Sequence, residues 1–291
     1  MMELGEALER YRAWLADPSI DEETKRELRA LEGQEQEIAD RFYRDLEFGT
    51  GGLRGVMGAG SNRMNAYTVG KATQGLANWL LGRKVQPAVV IAHDSRRNSD
   101  AFALTAAEVL AANGIKTYLW PGLRPTPQLS FTVRHLGADA GIVMTASHNP
   151  PEYNGYKVYG PDGCQIVPDL AEEVIGHIRK VKSFAEVKRM ARGEAEKAGL
   201  IVWLGESEDR AYHETVAAQS LRPGLLKAGA GNELSIIYTP LHGAGNVPVR
   251  EVLKLAGFGN VRVVAEQEKP DGGFPTVKSP NPEEREAFAM A

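Results

Sequence analysis

The stretch "GIVMTASHNPPEYNGYKVYG", Gly141 to Gly160, decides how the rest of the chain is read. It continues a short apolar run that starts at Ala138, the pattern of a buried strand in an α/β sheet. Ser147, His148, Asn149 and two prolines then fall in one loop, and Lys157 follows on an alternating segment. Pro150 and Pro151 bar a helix from starting there and hold the loop extended. A serine in this position lies where α/β sheets bind ligands, at the carboxyl ends of the strands. A serine hydroxyl needs a base or a phosphate to become a useful nucleophile. Taken alone, Ser147 and His148 also read as an ordinary polar loop. No "GxSxG" elbow is present to support a serine hydrolase.

Outward from this stretch the texture is α/β. "TVGKATQGLANWLLG" reads as an amphipathic helix ending near Gly82, "PAVVIAHD" as a buried strand, and "SDAFALTAAEVLAANG" as a helix stopped by Gly114. "IKTYLW" is the next strand and "PTPQLSFTVRHLG" another helix. "GYKVYGPDGCQIV" reads as two short strands around a Pro-Asp-Gly turn, so the expected sheet is mixed and covered by helices. Residues 168–204 read as helical and charged. A second α/β unit follows, with strand "ELSIIYTP", helix "NVPVREVLKLAG" and strand "VRVVAE". Residues 3–45 have helical spacing, with Asp21 as the N-cap of a second helix. The expected organisation is a helical arm over residues 1–45, a mixed-sheet α/β domain over 46–204, and a second α/β domain over 205–291 that is incomplete.

Length and charge bound the function. The 291 residues suggest about two domains. A net charge of −4 offers no basic surplus for nucleic acid, and no run approaches the ~20 apolar residues of a membrane span. The single cysteine, Cys164, excludes an intrachain disulfide and fits a cytoplasmic protein.

Three other stretches, and Lys157 within the first, carry chemistry. "FGTGGLRGVMGAG", Phe48 to Gly60, is neither an ordinary helix nor an ordinary strand. Its glycines would let backbone N–H groups approach an anion, with the Arg54 guanidinium beside them; the other reading is a plain connector. "HDSRRNSDAF", His93 to Phe102, is either an anion-facing strand end or a capping turn with solvated arginines, with Asn98 or Ser99 as cap. Lys157 either folds back beside Ser147 or is an ordinary solvated lysine. "YTPLHGAGN", Tyr238 to Asn246, repeats the strand-end geometry, with His242 as a ligand contact or a loop residue.

Together these stretches resemble the α-D-phosphohexomutases. The resemblance is carried by "GIVMTASHNPPEYNGYKVYGPDGCQI", "FGTGGLRG", "TPQLSF", "YTPLHGAGN" and "QEKPDGGFPTVKSPNPEEREAF". It extends from about residue 46 onward and is nearest the branch of phosphoglucomutase-2-type enzymes and phosphopentomutases. It implies a four-domain protein around a cleft, in which Ser147 carries a phosphoryl group to a sugar phosphate and regains one from the resulting bisphosphate. It implies Mg²⁺ held by the Ser147 phosphate and by a "DxDxD" loop, and a sugar bisphosphate such as glucose 1,6-bisphosphate as activator. Arg54 and Lys157 match positions beside the reacting oxygen, and His148 a residue near the phosphoserine. Thr50, Gly51, Gly52, Arg54, Asn149 and His242 match substrate- or phosphate-binding positions. No "DxDxD" loop occurs before Ala291; Asp271 stands alone. The expectation is therefore the phosphoserine half of a mutase, inactive alone and prone to self-association, whose partners are a sugar phosphate and the missing C-terminal domains. The competing expectation is a fragment or module that binds sugar phosphates without turning them over.

Overall fold

The computed structural model describes residues 4–49 and 51–291. Three helices form the arm: α1 (Leu4–Ala16), α2 (Glu22–Arg29) and α3 (Glu35–Phe42). The Asp21 carboxylate caps α2 by accepting from the Thr24 amide at 2.8 Å. The arm buries its own cluster, in which Trp14 meets Phe42, Tyr67 and Phe184 edge-on at 5.6, 5.7 and 5.1 Å. Tyr67 and Phe184 belong to the next domain, so this aromatic group is the joint that seats the arm.

That domain is a seven-stranded mixed sheet in the order β1-β2-β6-β5-β3-β4-β7. Its strands are β1 (Phe48–Gly49), β2 (Gly52–Val56), β3 (Ala88–His93), β4 (Lys116–Leu119), β5 (Ala140–Met144), β6 (Tyr153–Tyr159) and β7 (Ile201–Trp203). β5, β3, β4 and β7 run parallel, and β6 and β2 pair antiparallel. Helices α4 (Ala66–Leu81), α5 (Ser99–Ala112), α7 (Pro168–Lys180) and α8 (Arg192–Lys197) bury one face against Val89, Ile91, Ile142, Met144 and Tyr156. Helix α6 (Thr126–His135) covers the other with Leu129 and Val133 against Val90, Ala92 and Val143. The alternation of Val89/Ile91 and Val90/Ala92 on β3 is why that strand reads as continuously apolar: both faces are covered.

Three local expectations are corrected. The glycine-rich stretch is partly a strand, because β2 pairs residue by residue with β6 from Gly52↔Lys157 to Val56↔Tyr153. Residues 168–204 are not helical throughout; β7 adds an edge strand beside β4. The turn after β6 does not return as a second strand, and only one bridge, Tyr159 to Gln165, forms there.

The second unit holds α9 (Glu206–Ala217), two single-turn helices α10 (Pro223–Leu225) and α11 (Gly231–Glu233), β8 (Ile236–Tyr238), α12 (Asn246–Ala256) and β9 (Val261–Val263). β8 and β9 pair in parallel. Helix α9 packs on both α12 and α6. Asp209 on α9 takes a two-pronged bond from Arg124, at 2.7 Å to each oxygen, and one from Gln128 at 2.6 Å, which ties the unit to the first domain. No helix among the described residues is long and apolar enough to cross a membrane.

Candidate active site

The chain crosses the sheet from β3 through α5 to β4 on one side, then through α6 to β5 on the other. The order reverses between β3 and β5, and α/β sheets bind ligands at such a crevice. The carboxyl ends of these two strands carry Asp94 and the Thr145–Pro151 loop. Asp94 is joined to β5 through its amide, which donates to the Met144 carbonyl at 3.1 Å.

Ser147 lies at the tip of this loop, exposed, with φ 59°. A left-handed backbone is uncommon outside glycine and asparagine, and a serine held there signals a loop fixed from outside itself. Its amide donates to Thr145 Oγ1 at 2.9 Å. His148 Nδ1 stands 3.4 Å from Ser147 Oγ, longer than an ordinary hydrogen bond of this type. Asn149 is partly buried, and its amide returns to the Ala146 carbonyl at 3.2 Å.

The fixing group is Arg96, which is 3% exposed. Its Nη1 donates to the carbonyls of Pro150 and Tyr153 at 2.8 and 3.0 Å. Its Nη2 donates to the carbonyls of Ser147, at 3.0 Å, and Asn149. One guanidinium thus gathers four carbonyls of the serine loop, a task that suits its planar fork of donors. Burial pulls its pKa down, and Asp94, 3.5 Å from its Nε, acts against that. The reading of this stretch as a turn with solvated arginines fails at Arg96. Asn98 occupies the cap position of α5 without a side-chain cap bond, while the Ser99 hydroxyl turns back to Asp94 at 2.7 Å.

Arg54 and Lys157 reach one face of the sheet by register. Gly52 pairs with Lys157 and Arg54 with Gly155, so the two cations lie diagonally across β2 and β6. The intervening glycines carry no side chain between them. A Cβ at Gly52 would run into the Tyr156 carbonyl and lie 2.9 Å from Lys157 Cα, and one at Gly155 would lie 2.5 Å from the Thr145 carbonyl. Only glycine permits this backbone approach. Lys157 is half-buried, and its pKa is lowered first by that burial and then by Arg54, with Asp94 pulling the other way. Gly51, at φ 116°, turns β1 into β2 and accepts from the Val158 amide at 2.9 Å. Thr50, expected beside the phosphate, lies outside the described residues.

His242 stands elsewhere. It is 2% exposed, with Nδ1 2.9 Å from the Lys269 carbonyl and Nε2 2.9 Å from Thr276 Oγ1. Both ring nitrogens are engaged within the second unit, where they hold residues 269–276. Among the described residues no group of three or more His, Cys, Asp or Glu could hold a metal ion. Asp271 caps its own turn, accepting from the Gly273 amide at 2.7 Å.

With this geometry in hand, comparison with known proteins is decisive. The profile for phosphoglucomutase/phosphomannomutase alpha/beta/alpha domain I matches residues 45–185, and that for alpha/beta/alpha domain II matches residues 210–291. The chain belongs to the phosphoglucomutase/phosphomannomutase family. A phosphoglucomutase of Staphylococcus haemolyticus is 39% identical over 250 residues, covering 86% of this chain and 44% of that protein. A protein named probable phosphomannomutase in Haemophilus influenzae is 38% identical over 231 residues, covering 78% of this chain and 45% of that one. A solved structure from Thermus thermophilus matches with a TM-score of 0.64 at 32% identity, over 81% of this chain and 48% of that one. The chain spans about half the length of the family relatives it matches.

Sequence reasoning singled out Ser147, Arg54 and Lys157 without placing Arg54 on a strand, and it missed the role of Arg96 in holding the serine loop. The carbonyls that Arg96 binds lie 51 to 57 residues further on, so only the folded register reveals it.

Proposed function

We propose that this chain is the phosphoserine-bearing half of a phosphosugar mutase, with Ser147 as the phosphoryl carrier. The observation that carries the reading is a serine held at left-handed φ at the sheet's switch point, with Lys157 on the neighbouring strand and Arg54 on the strand beyond it. In the forward half-reaction the bond from phosphorus to Ser147 Oγ breaks as a bond forms to a sugar hydroxyl oxygen. The hydroxyl proton passes to neutral Lys157, and Lys157 delivers it to Ser147 Oγ. The return half runs the same steps backward from the other phosphate of the bisphosphorylated sugar. Phosphoryl transfer asks mainly for positioning and charge neutralisation. Arg54 supplies fixed positive charge beside the transferred group, and the lowered pKa of Lys157 increases its share of the neutral form. His148 and Asn149 flank the phosphate.

Mg²⁺ is the counter-ion that the family resemblance implies. The described residues supply no carboxylate cluster for it, so the steps above run through the chain's own residues. The branch resemblance favours glucose or ribose phosphates as substrates, with glucose 1,6-bisphosphate as phosphoryl donor. Hydrolysis through Ser147 and His148 is disfavoured by their 3.4 Å separation.

The test is exposure of the purified chain to glucose 1,6-bisphosphate, followed by intact mass. The account predicts gain of one phosphoryl group by the unaltered chain and none by Ser147→Ala. Equal gain by both would place the acceptor elsewhere and overturn the assignment.

A further inference from the structure

Residues 269–279 leave β9 through a 3-10 turn and run back across the first domain as a strap. His242 shapes it: beyond its two ring bonds, its carbonyl accepts from the Asp271 amide at 3.2 Å. The strap then meets the machinery around Ser147 at three places. Gly272 lies against the backbone of Ser95–Arg97, so closely that a Cβ there would be 2.6 Å from the Arg97 nitrogen and 2.8 Å from the Ser95 carbonyl. Phe274, 3% exposed, lies under Arg96, with the guanidinium carbon over its ring 5.2 Å from the centroid. The Ser279 hydroxyl donates to the His148 carbonyl at 2.5 Å.

Phe274 has φ 47°. A bulky residue in the left-handed region is a genuine outlier, and it persists where its surroundings over-determine it. Here the surroundings are Arg96. Its guanidinium carbon lies over the Phe274 ring while its terminal nitrogens donate to the carbonyls of Ser147, Asn149, Pro150 and Tyr153. A cation over an aromatic face gains most where both are desolvated, as they are here.

We infer that the second unit holds Arg96 through Phe274 and the His148 carbonyl through Ser279, and thereby fixes the geometry of Ser147. Arg96 and Phe274 are positioning residues: neither is placed against the sugar or the transferred phosphoryl group. The serine loop is set only while the strap is docked, so the two units share one readiness for phosphoryl transfer. The inference rests on Ser147 as carrier, and its test is separable from that reading.

Phe274→Leu keeps an apolar side chain and removes the ring face. The measurement is amide hydrogen exchange of residues 145–153, with residues 88–93 and 140–144 as internal reference, on the unphosphorylated chain. Exchange in the serine loop is expected to rise about tenfold or more while the reference strands keep their protection. Arg96→Lys, which lacks the fork, should raise it at least as far, and adding Phe274→Leu should raise it little further, since both act along one path. If Arg96→Lys fails to fold, Phe274→Leu and Ser279→Ala still decide. Installing phosphoserine at position 147 by codon reassignment adds a second readout, a ³¹P resonance whose shift and titration midpoint are expected to move in Phe274→Leu. Unchanged loop exchange and an unchanged resonance in a folded Phe274→Leu chain would overturn the inference. Failure of the carrier reading would show instead as no phosphoryl uptake by the unaltered chain, whatever the strap variants do.

Discussion

Lys157 lies where two strands bring a second cation onto the same face. Its pKa is lowered by burial and by Arg54, and Asp94 offsets part of that. A lysine whose folded pKa is below its unfolded value costs stability while it is protonated. That cost is full below the folded pKa and fades as pH rises from there toward the ordinary value of 10.5. Lys157→Met should therefore stabilise the chain at neutral pH, with the gain shrinking as pH climbs through the lysine range. Urea melts across that range check it; a gain that stays constant with pH would contradict the electrostatic cause. Direct titration should find Lys157 below the ordinary lysine value of 10.5, higher in Arg54→Gln and lower still in Asp94→Asn. At this scale the sequence was informative for residues that act locally. Ser147 follows a readable strand, and Asp21 caps a readable helix. It offered an anion-facing or a solvated reading for Arg96, whose role instead depends on carbonyls brought to it by the fold, and it gave no sign that the His242 ring bonds Lys269 and Thr276 in the strap.

At the scale of elements, period and turn residues were enough to find β3, β5, α4 and α5, because each has a long covered face. They were not enough for β7, three residues whose strand state comes from pairing with β4 rather than from any alternation of their own. β2 was hidden for the opposite reason. Glycine is depleted in strands, yet here Gly52 and Gly155 are required for β2 and β6 to approach and for Arg54 and Lys157 to share a face. Gly52→Ala should destabilise the chain by about 1–3 kcal/mol, the usual cost of forced overpacking. Gly49→Ala, whose added Cβ would meet its nearest neighbour only at 3.9 Å, should cost less than about 0.5 kcal/mol. Denaturant midpoints of the two variants compare them; equal losses would mean that the close approach at Gly52 does not constrain the strand pair.

For the molecule as a whole, the first domain and the second unit differ in how much apolar surface they cover. The first domain buries both faces of its sheet. The second presents a two-stranded parallel sheet, and parallel strands are ordinarily covered on both faces. Ile237 on β8, Val247 on α12 and Leu221, which is 97% exposed, all face solvent. Such surface favours association, so sedimentation should show mass rising with concentration. A monomer at every concentration would contradict this. The same division explains what could be foreseen of function. The serine loop and its cations lie within one covered domain and were legible as motifs. The strap that fixes them crosses between units and is visible only in the folded chain.

The most direct test of the central claim is tandem mass spectrometry of the peptide spanning Thr145 to Lys157, taken from the protein as purified from its native source. The account predicts a phosphate on Ser147, lost when the protein is mixed with excess sugar monophosphate. A peptide that carries no phosphate, both as purified and after exposure to glucose 1,6-bisphosphate, would contradict it.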